Sequence, residues 1–253
     1  MVTVPARWSA DAPPHTRSAQ RPGRRGAVNL IFDADDTLWE NNVLFESIIE
    51  AFIDAMARHG RDRSGIRAVL DAIERANSHA HGYGSAVFER SLAECMERLR
   101  EPYPLTGDER AWITGLCRVL REEPVELLPG VPQTLRSLAL RHRLYLCTKG
   151  EPGEQQRKID SSGLAGFFAE IVIVREKGAD TYRDLVKTLG LDAGSTWMIG
   201  NSPRSDVLPA LEAGLGAVLV PHPMTWSLEH APLPDTGGRC MRVSPITALL
   251  DHF

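Results

Sequence analysis

The stretch "NLIFDADDTLWENN", Asn29 to Asn42, ends an apolar run on three carboxylates, Asp33, Asp35 and Asp36. Like charges held this close make each successive proton harder to lose. The natural remedy is a bound cation, and a hard ion such as Mg²⁺ takes oxygen ligands. Acidic residues also cap turns, so the meaning of the stretch depends on what surrounds it.

The run before the carboxylates, Val28–Phe32, is short, continuous and strand-like. Similar runs follow at Leu144–Cys147, Ile171–Val174, Trp197–Ile199, Ala217–Val220 and Met241–Val243. Helical patterns such as Val131–Leu140 and Thr181–Leu189 lie between most of them. This alternation predicts an α/β fold, a parallel sheet with helices on both faces.

The gap between the first two strands is too long for a simple crossover. Four helical stripes fill it. They are Leu44, Ile48, Ile49, Phe52, Ile53 and Met56; then Ile66, Val69, Leu70 and Ile73; then Val87, Phe88, Leu92, Met96 and Leu99; then Trp112, Leu116, Val119 and Leu120. Together they predict an all-helical insert over 43–123, with "EPVELLPGVP" (Glu123–Pro132) marking the return. The core domain is then 26–42 together with 124–253. Residues 1–25, rich in Pro, Arg, Ser and Ala, read as a disordered tail.

Bulk composition narrows the function. A chain of 253 residues that is 43% hydrophobic can bury a sizeable core, and a net charge of −4 gives no general pull toward nucleic acid or acidic membranes. No apolar run approaches the roughly 20 residues of a membrane helix. Arg24-Arg25 does not read as a twin-arginine signal, because the apolar run behind it stops at Asp33. Four cysteines without a CxxC pair indicate reduced thiols in a cytoplasmic protein and no zinc site. Lysine is scarce: Lys149, Lys158, Lys177 and Lys187 are the whole set.

Ligands of open parallel sheets bind beyond the carboxyl ends of the strands. Asp33 and Asp35 stand there, two positions apart and so facing one way. The second long strand runs into Thr148, Lys149 and Gly150, a hydroxyl and a turn suited to phosphate oxygens. Lys177 follows the third, and "GNSPRSD" (Gly200–Asp206) brings Asn201, Ser202 and Asp206 after the next. Each end alone reads equally as a capped turn or a surface charge. In sequence at one rim, they point to metal and phosphate chemistry.

The ordered set DADDT (Asp33–Thr37), Thr148, Lys177 and GNSxxxD (Gly200–Asp206) resembles the four motifs of the haloacid dehalogenase superfamily of hydrolases. The resemblance spans nearly all of 27–220, and the insert matches that superfamily's helical cap. It implies a Rossmann-like core and a Mg²⁺-dependent phosphatase acting on a small-molecule phosphate monoester. Asp33 would be the nucleophile that forms an aspartyl-phosphate, and Asp35 the acid/base. Thr148, Lys149 and Lys177 would hold phosphoryl oxygens. Mg²⁺ would sit among Asp33, the Asp35 backbone carbonyl, Asn201 and Asp206. The chain departs from the pattern at Asp36, where many members have Gly, and at Asn201, where many have Asp.

Dehalogenation needs no carboxylate two residues after the nucleophile, so Asp35 favours phosphoryl transfer. The lack of lysine in 43–125 argues against imine-forming phosphonate cleavage. A phosphomutase on the same core and a non-catalytic binding or regulatory module both stay open. Within "NSHAHGYGS" (Asn77–Ser85), His79, His81 and Tyr83 are expected on a loop between helices, either meeting the non-phosphate part of the substrate or serving as a plain connection. His222 reads as a loop residue after a strand end.

Overall fold

A computed structural model of the protein describes residues 26–58, 60–235 and 238–253. The expected tail over 1–25 lies outside them. Six strands of the described residues form one sheet: β1 (Asn29–Phe32), β2 (Arg143–Lys149), β3 (Glu170–Val174), β4 (Thr196–Gly200), β5 (Gly216–Leu219) and β6 (Cys240–Arg242). All pairings are parallel, in the order β3-β2-β1-β4-β5-β6. The chain winds outward from β1 in one direction and then in the other. The crevice where the order reverses lies beside β1, where ligands of such sheets bind.

Period-two alternation divides the strand residues between the two faces. Leu30, Phe32, Leu144, Leu146, Ile173 and Ile199 pack against α6 (Val131–Ala139) and α7 (Pro152–Ser162). Ile31, Tyr145, Cys147, Val172, Val174 and Met198 pack against α8 (Ala179–Leu189) and α9 (Leu208–Glu212). Both faces are therefore covered, as near-continuous apolar strands require.

Between β1 and α6 lie α1 (Asn42–Ala57), α2 (Arg63–His81), α3 (Ser85–Arg100), α4 (Gly107–Cys117) and α5 (Val119–Glu122). The four predicted stripes fall on these helices, the last divided between α4 and α5. Their buried residues form a cluster of their own, built around Phe52, Leu70, Leu92 and Cys117. One expectation changes: Asn77–His81 is not loop but the last turn of α2. The Asn77 amide donates to Ser91 Oγ (3.1 Å) and Glu94 Oε2 (3.2 Å) on α3, which holds the helix together to its end. The connection shrinks to Gly82–Gly84, whose two glycines have φ of 85° and 120°, where side chains are disfavoured. Among the described residues, no helix is long and apolar enough to cross a membrane.

Candidate active site

The register sets Phe32 beside Leu146 and Ile199, so Asp33 emerges at the carboxyl edge and its N–H still donates to the Ile199 carbonyl (2.9 Å). Its side chain is buried. Oδ2 accepts from Thr37 Oγ1 (2.8 Å) and Oδ1 accepts from Lys177 Nζ (2.5 Å). The same Nζ donates to Asp206 Oδ1 (2.7 Å). Asp206 reaches that point because Gly200 yields the space: a Cβ there would lie 2.2 Å from Asp206 Oδ2. The ends of β1, β3 and β4 thus converge on one ammonium group.

Burial pushes the Asp33 carboxyl up to about 7; Lys177 opposes that rise and Asp206 adds to it. For Lys177 burial works against the charge, but the Asp206 and Asp33 carboxylates outweigh it and hold the pKa well above its ordinary value. Thr37 ties in the last motif. Its hydroxyl accepts from Asn201 N (3.0 Å), which brings the Asn201 amide oxygen alongside. The donors here are two carboxylates and an amide carbonyl, all hard oxygens, with one lysine between two acids. That chemistry fits a hard divalent cation.

Asp35 is held by a different set of partners. Its carboxylate accepts from Trp39 Nε1 (2.7 Å), Gln155 Nε2 (3.0 Å) and Lys158 Nζ (3.0 and 3.1 Å). Gln155 and Lys158 both stand on α7, which starts sharply: the Glu151 side chain caps it, with Pro152 in its first turn. Gln155 Nε2 also donates to Thr148 Oγ1 (2.7 Å), so the ends of β1 and β2 are cross-linked through one amide. Neither Gln155 nor Lys158 belongs to the site read from the sequence. The signal for Lys158 was its rarity, since three of the four lysines, Lys149, Lys158 and Lys177, line the same cavity.

Asp36 turns into the left-handed region (φ 58°), the one non-glycine to do so among the described residues. Glycine would adopt this φ more easily, but it could not supply the carboxylate. Asp36 Oδ1 accepts from the N–H groups of Asn41 and Asn42 (2.9 Å each), fixing the start of α1. Burial pushes this carboxyl up to about 7 against the Asn42 N–H. His222 Nε2 lies 3.2 Å from Glu40 Oε2, and its Nδ1 lies 3.8 Å from Asp36 Oδ1. The ligating atoms of Asp36, Glu40 and His222 fall within 4.8 Å of one another. Asp36 is already capping α1, and His222 Nδ1 accepts from Met224 N, so the trio fastens the start of the insert to the loop after β5.

The cavity above these side chains has a volume of about 180 Å³ and takes its walls from both the sheet end and the insert. That is small beside the roughly 300–1,000 Å³ of drug-sized sites. Asp33, Asp35, Thr148, Lys149, Lys177, Asn201 and Asp206 all line it. Lys149 Nζ is engaged by Glu229 Oε1 (2.6 Å) and Ser205 Oγ (2.8 Å), and it lies 4.3 Å from the centre of the Tyr83 ring. Tyr83 lines the cavity and donates to Glu176 Oε2 (2.7 Å). His79 lines a neighbouring depression instead, and His81 is exposed at the end of α2, on neither wall.

The family model for a haloacid dehalogenase-like hydrolase matches residues 29–214. A glyceraldehyde 3-phosphate phosphatase of Pyrococcus abyssi is 27% identical over 198 residues, 75% of this chain and 79% of the relative. A phosphoserine phosphatase of Thermus thermophilus is 29% identical over 159 residues, 61% of this chain and 53% of the relative. Among solved structures, a haloacid dehalogenase-like family hydrolase from Xanthomonas campestris superposes with a TM-score of 0.77 at 28% identity, covering 89% of this chain and 94% of that one.

Proposed function

Since the chain belongs to the haloacid dehalogenase-like hydrolases, we propose that it is a phosphatase that hydrolyses a small phosphate monoester with Mg²⁺, through an aspartyl-phosphate on Asp33. One observation carries the reading: a buried Asp33 carboxylate, aimed by Thr37 and Lys177, shares a cavity with a second carboxylate, Asp35. The phosphatase names of two relatives support it.

In the first half-reaction Asp33 attacks phosphorus. The new bond joins its carboxylate oxygen to phosphorus, the bond to the alcohol oxygen breaks, and Asp35 gives that oxygen a proton. In the second, Asp35 takes a proton from water, which attacks the acyl-phosphate and frees inorganic phosphate and Asp33. Trp39, Gln155 and Lys158 fix the Asp35 carboxylate on the wall for both steps. Thr148 Oγ1 accepts from Gln155, which leaves its own proton for a phosphoryl oxygen. Lys177 and Lys149 supply positive charge at the same end. Asp33, the Asp35 backbone carbonyl, Asn201 and Asp206 would hold Mg²⁺. When bound, that ion screens Asp33 from the incoming phosphate.

The insert serves as the cap in this reading. It reaches the core through Tyr83 to Glu176, Ser85 N to Glu154 Oε2 (2.9 Å) and Asn42 Nδ2 to Met224 O (2.6 Å). The cysteines Cys95, Cys117 and Cys147 are buried and unpaired, in keeping with a reducing cytoplasm. The test is phosphate release by purified protein from a panel of monoesters that includes an aryl phosphate. Release with Mg²⁺ and none after chelation is expected. No release from any ester would overturn the proposal.

A further inference from the structure

The insert's wall of the cavity contains a carboxylate that nothing in the fold uses. Glu74 on α2 lines the cavity among Phe45, Ile49, Val87 and Phe88. Its Oε2 is shut off from solvent and accepts no hydrogen bond. The nearby donors are taken. Ser78 Oγ donates to the Arg75 carbonyl (3.0 Å), and Ser91 Oγ to the Val87 carbonyl (3.0 Å). Arg67 spends its guanidinium on Glu46 (2.6 and 3.0 Å) and Asp71 (2.7 Å).

A buried acceptor without a donor is costly, and native folds rarely keep one. Oε1 is not shut off and has no partner either, so it is the oxygen that a donor in the cavity would meet. Charge is also divided along the cavity. Its lysines, Lys149, Lys158 and Lys177, attend Glu229, Asp35 and Asp33 at the sheet end. The insert end presents Glu46 and Glu74, and among the described residues no arginine lines the cavity. Glu46 is already paired with Arg67, so a carboxylate on the leaving group would meet the unpaired acid Glu74 there, whereas an ammonium group would be the partner that Glu74 lacks. Burial, reinforced by Asp71 and Glu46 and opposed by Arg67, pushes the Glu74 carboxyl up to about 7, and an ammonium group beside it would lower that value and favour the carboxylate.

We infer that Glu74 selects substrates whose leaving alcohol carries an ammonium group, so that the preferred esters are phosphates of small amino alcohols. The inference rests on the phosphatase reading, and its test separates the two. Wild type and Glu74→Gln are assayed on 2-aminoethyl phosphate, n-propyl phosphate, phosphoglycolate and an aryl phosphate. Wild-type kcat/KM should favour the aminoethyl over the propyl ester by about 10-fold or more, with phosphoglycolate below both. In Glu74→Gln the aminoethyl-to-propyl ratio should collapse toward unity, and a ratio within one preparation does not depend on how much protein is folded. Aryl phosphate turnover without an amine preference in wild type overturns the inference and spares the phosphatase reading. So does a preference that survives in Glu74→Gln. Should the variant be inactive, the wild-type ratio alone decides. Failure on every ester, aryl phosphate included, removes the phosphatase reading itself.

Discussion

Replacing Lys177 with Met keeps an unbranched apolar stem out to Cε and removes the ammonium group. Asp33 and Asp206 would then face each other in a site nearly closed to water: the side-chain exposures are 9% for Asp33 and 1% for both Asp206 and Lys177. Removing one member of a buried ion pair costs about 3–5 kcal/mol, and here a single ammonium serves two carboxylates, so the upper part of that range applies. For a chain of this size about 1 kcal/mol moves Tm by roughly 2–4 °C, so a loss of about 4–5 kcal/mol gives a fall of about 8–20 °C. The loss depends on pH with a definite sign. The folded Asp33 carboxyl, at about 7, titrates above its ordinary 3.8, so its ionised form is disfavoured in the fold. Below that value Asp33 is protonated and loses little when Lys177 goes. Above it the carboxylate needs the lysine. The destabilisation should therefore be larger at about pH 8 than at about pH 6. Thermal unfolding at both values measures it, and a double-mutant cycle with Asp33→Asn should show coupling of about 0.5–3 kcal/mol. A loss below about 1 kcal/mol at the higher pH, or strict additivity in the cycle, would refute the view that Lys177 is what makes the acid pair tolerable.

Asp35→Asn should slow hydrolysis of alkyl phosphates more than aryl phosphates, because good leaving groups need less protonation; equal losses would leave Asp35 with no acid/base role. Asn201→Asp should lower the Mg²⁺ concentration for half-maximal activity, since it adds an anionic oxygen beside Asp33; an unchanged or raised requirement would remove Asn201 from the ligand set. Cation and proton should compete for Asp33, so calorimetric Mg²⁺ affinity should weaken by about 10-fold per pH unit below about 7 and level off above it. An affinity that stays constant across that range would exclude Asp33 as a ligand.

The sheet was legible because strands buried on both faces leave uninterrupted apolar runs, such as Leu144–Cys147 and Ile171–Val174, and helical patterns alternate with them along the chain. The insert was legible from its 3.6-residue stripes. Asp33, Thr148, Lys177 and Asp206 announce themselves through position, because each lies at or beyond the carboxyl end of a strand. Gln155 and Lys158 do not: they stand within α7 and matter only because the Asp35 carboxylate happens to meet that helix. Glu229 is similarly silent, as its link to Lys149 joins residues 80 apart in sequence. Glu74 reads as an ordinary polar position on an amphipathic helix until the packing shows that no donor reaches it. The end of α2 reads as loop because His, Ser and Asn are weak helix formers, and the α3 contacts of Asn77 override that weakness.

The central claim is that Asp33 is the nucleophile, and turnover of Asp33→Asn tests it most directly. The substitution preserves the shape of the side chain and removes the anionic oxygen that would bond to phosphorus. Measured on the best ester of the panel with saturating Mg²⁺, the variant should fold with a circular dichroism spectrum like that of wild type and lose about 10⁴-fold or more in kcat. A folded Asp33→Asn protein that retains turnover within about 10-fold of wild type would contradict the aspartyl-phosphate mechanism and the role given to every side chain gathered around it.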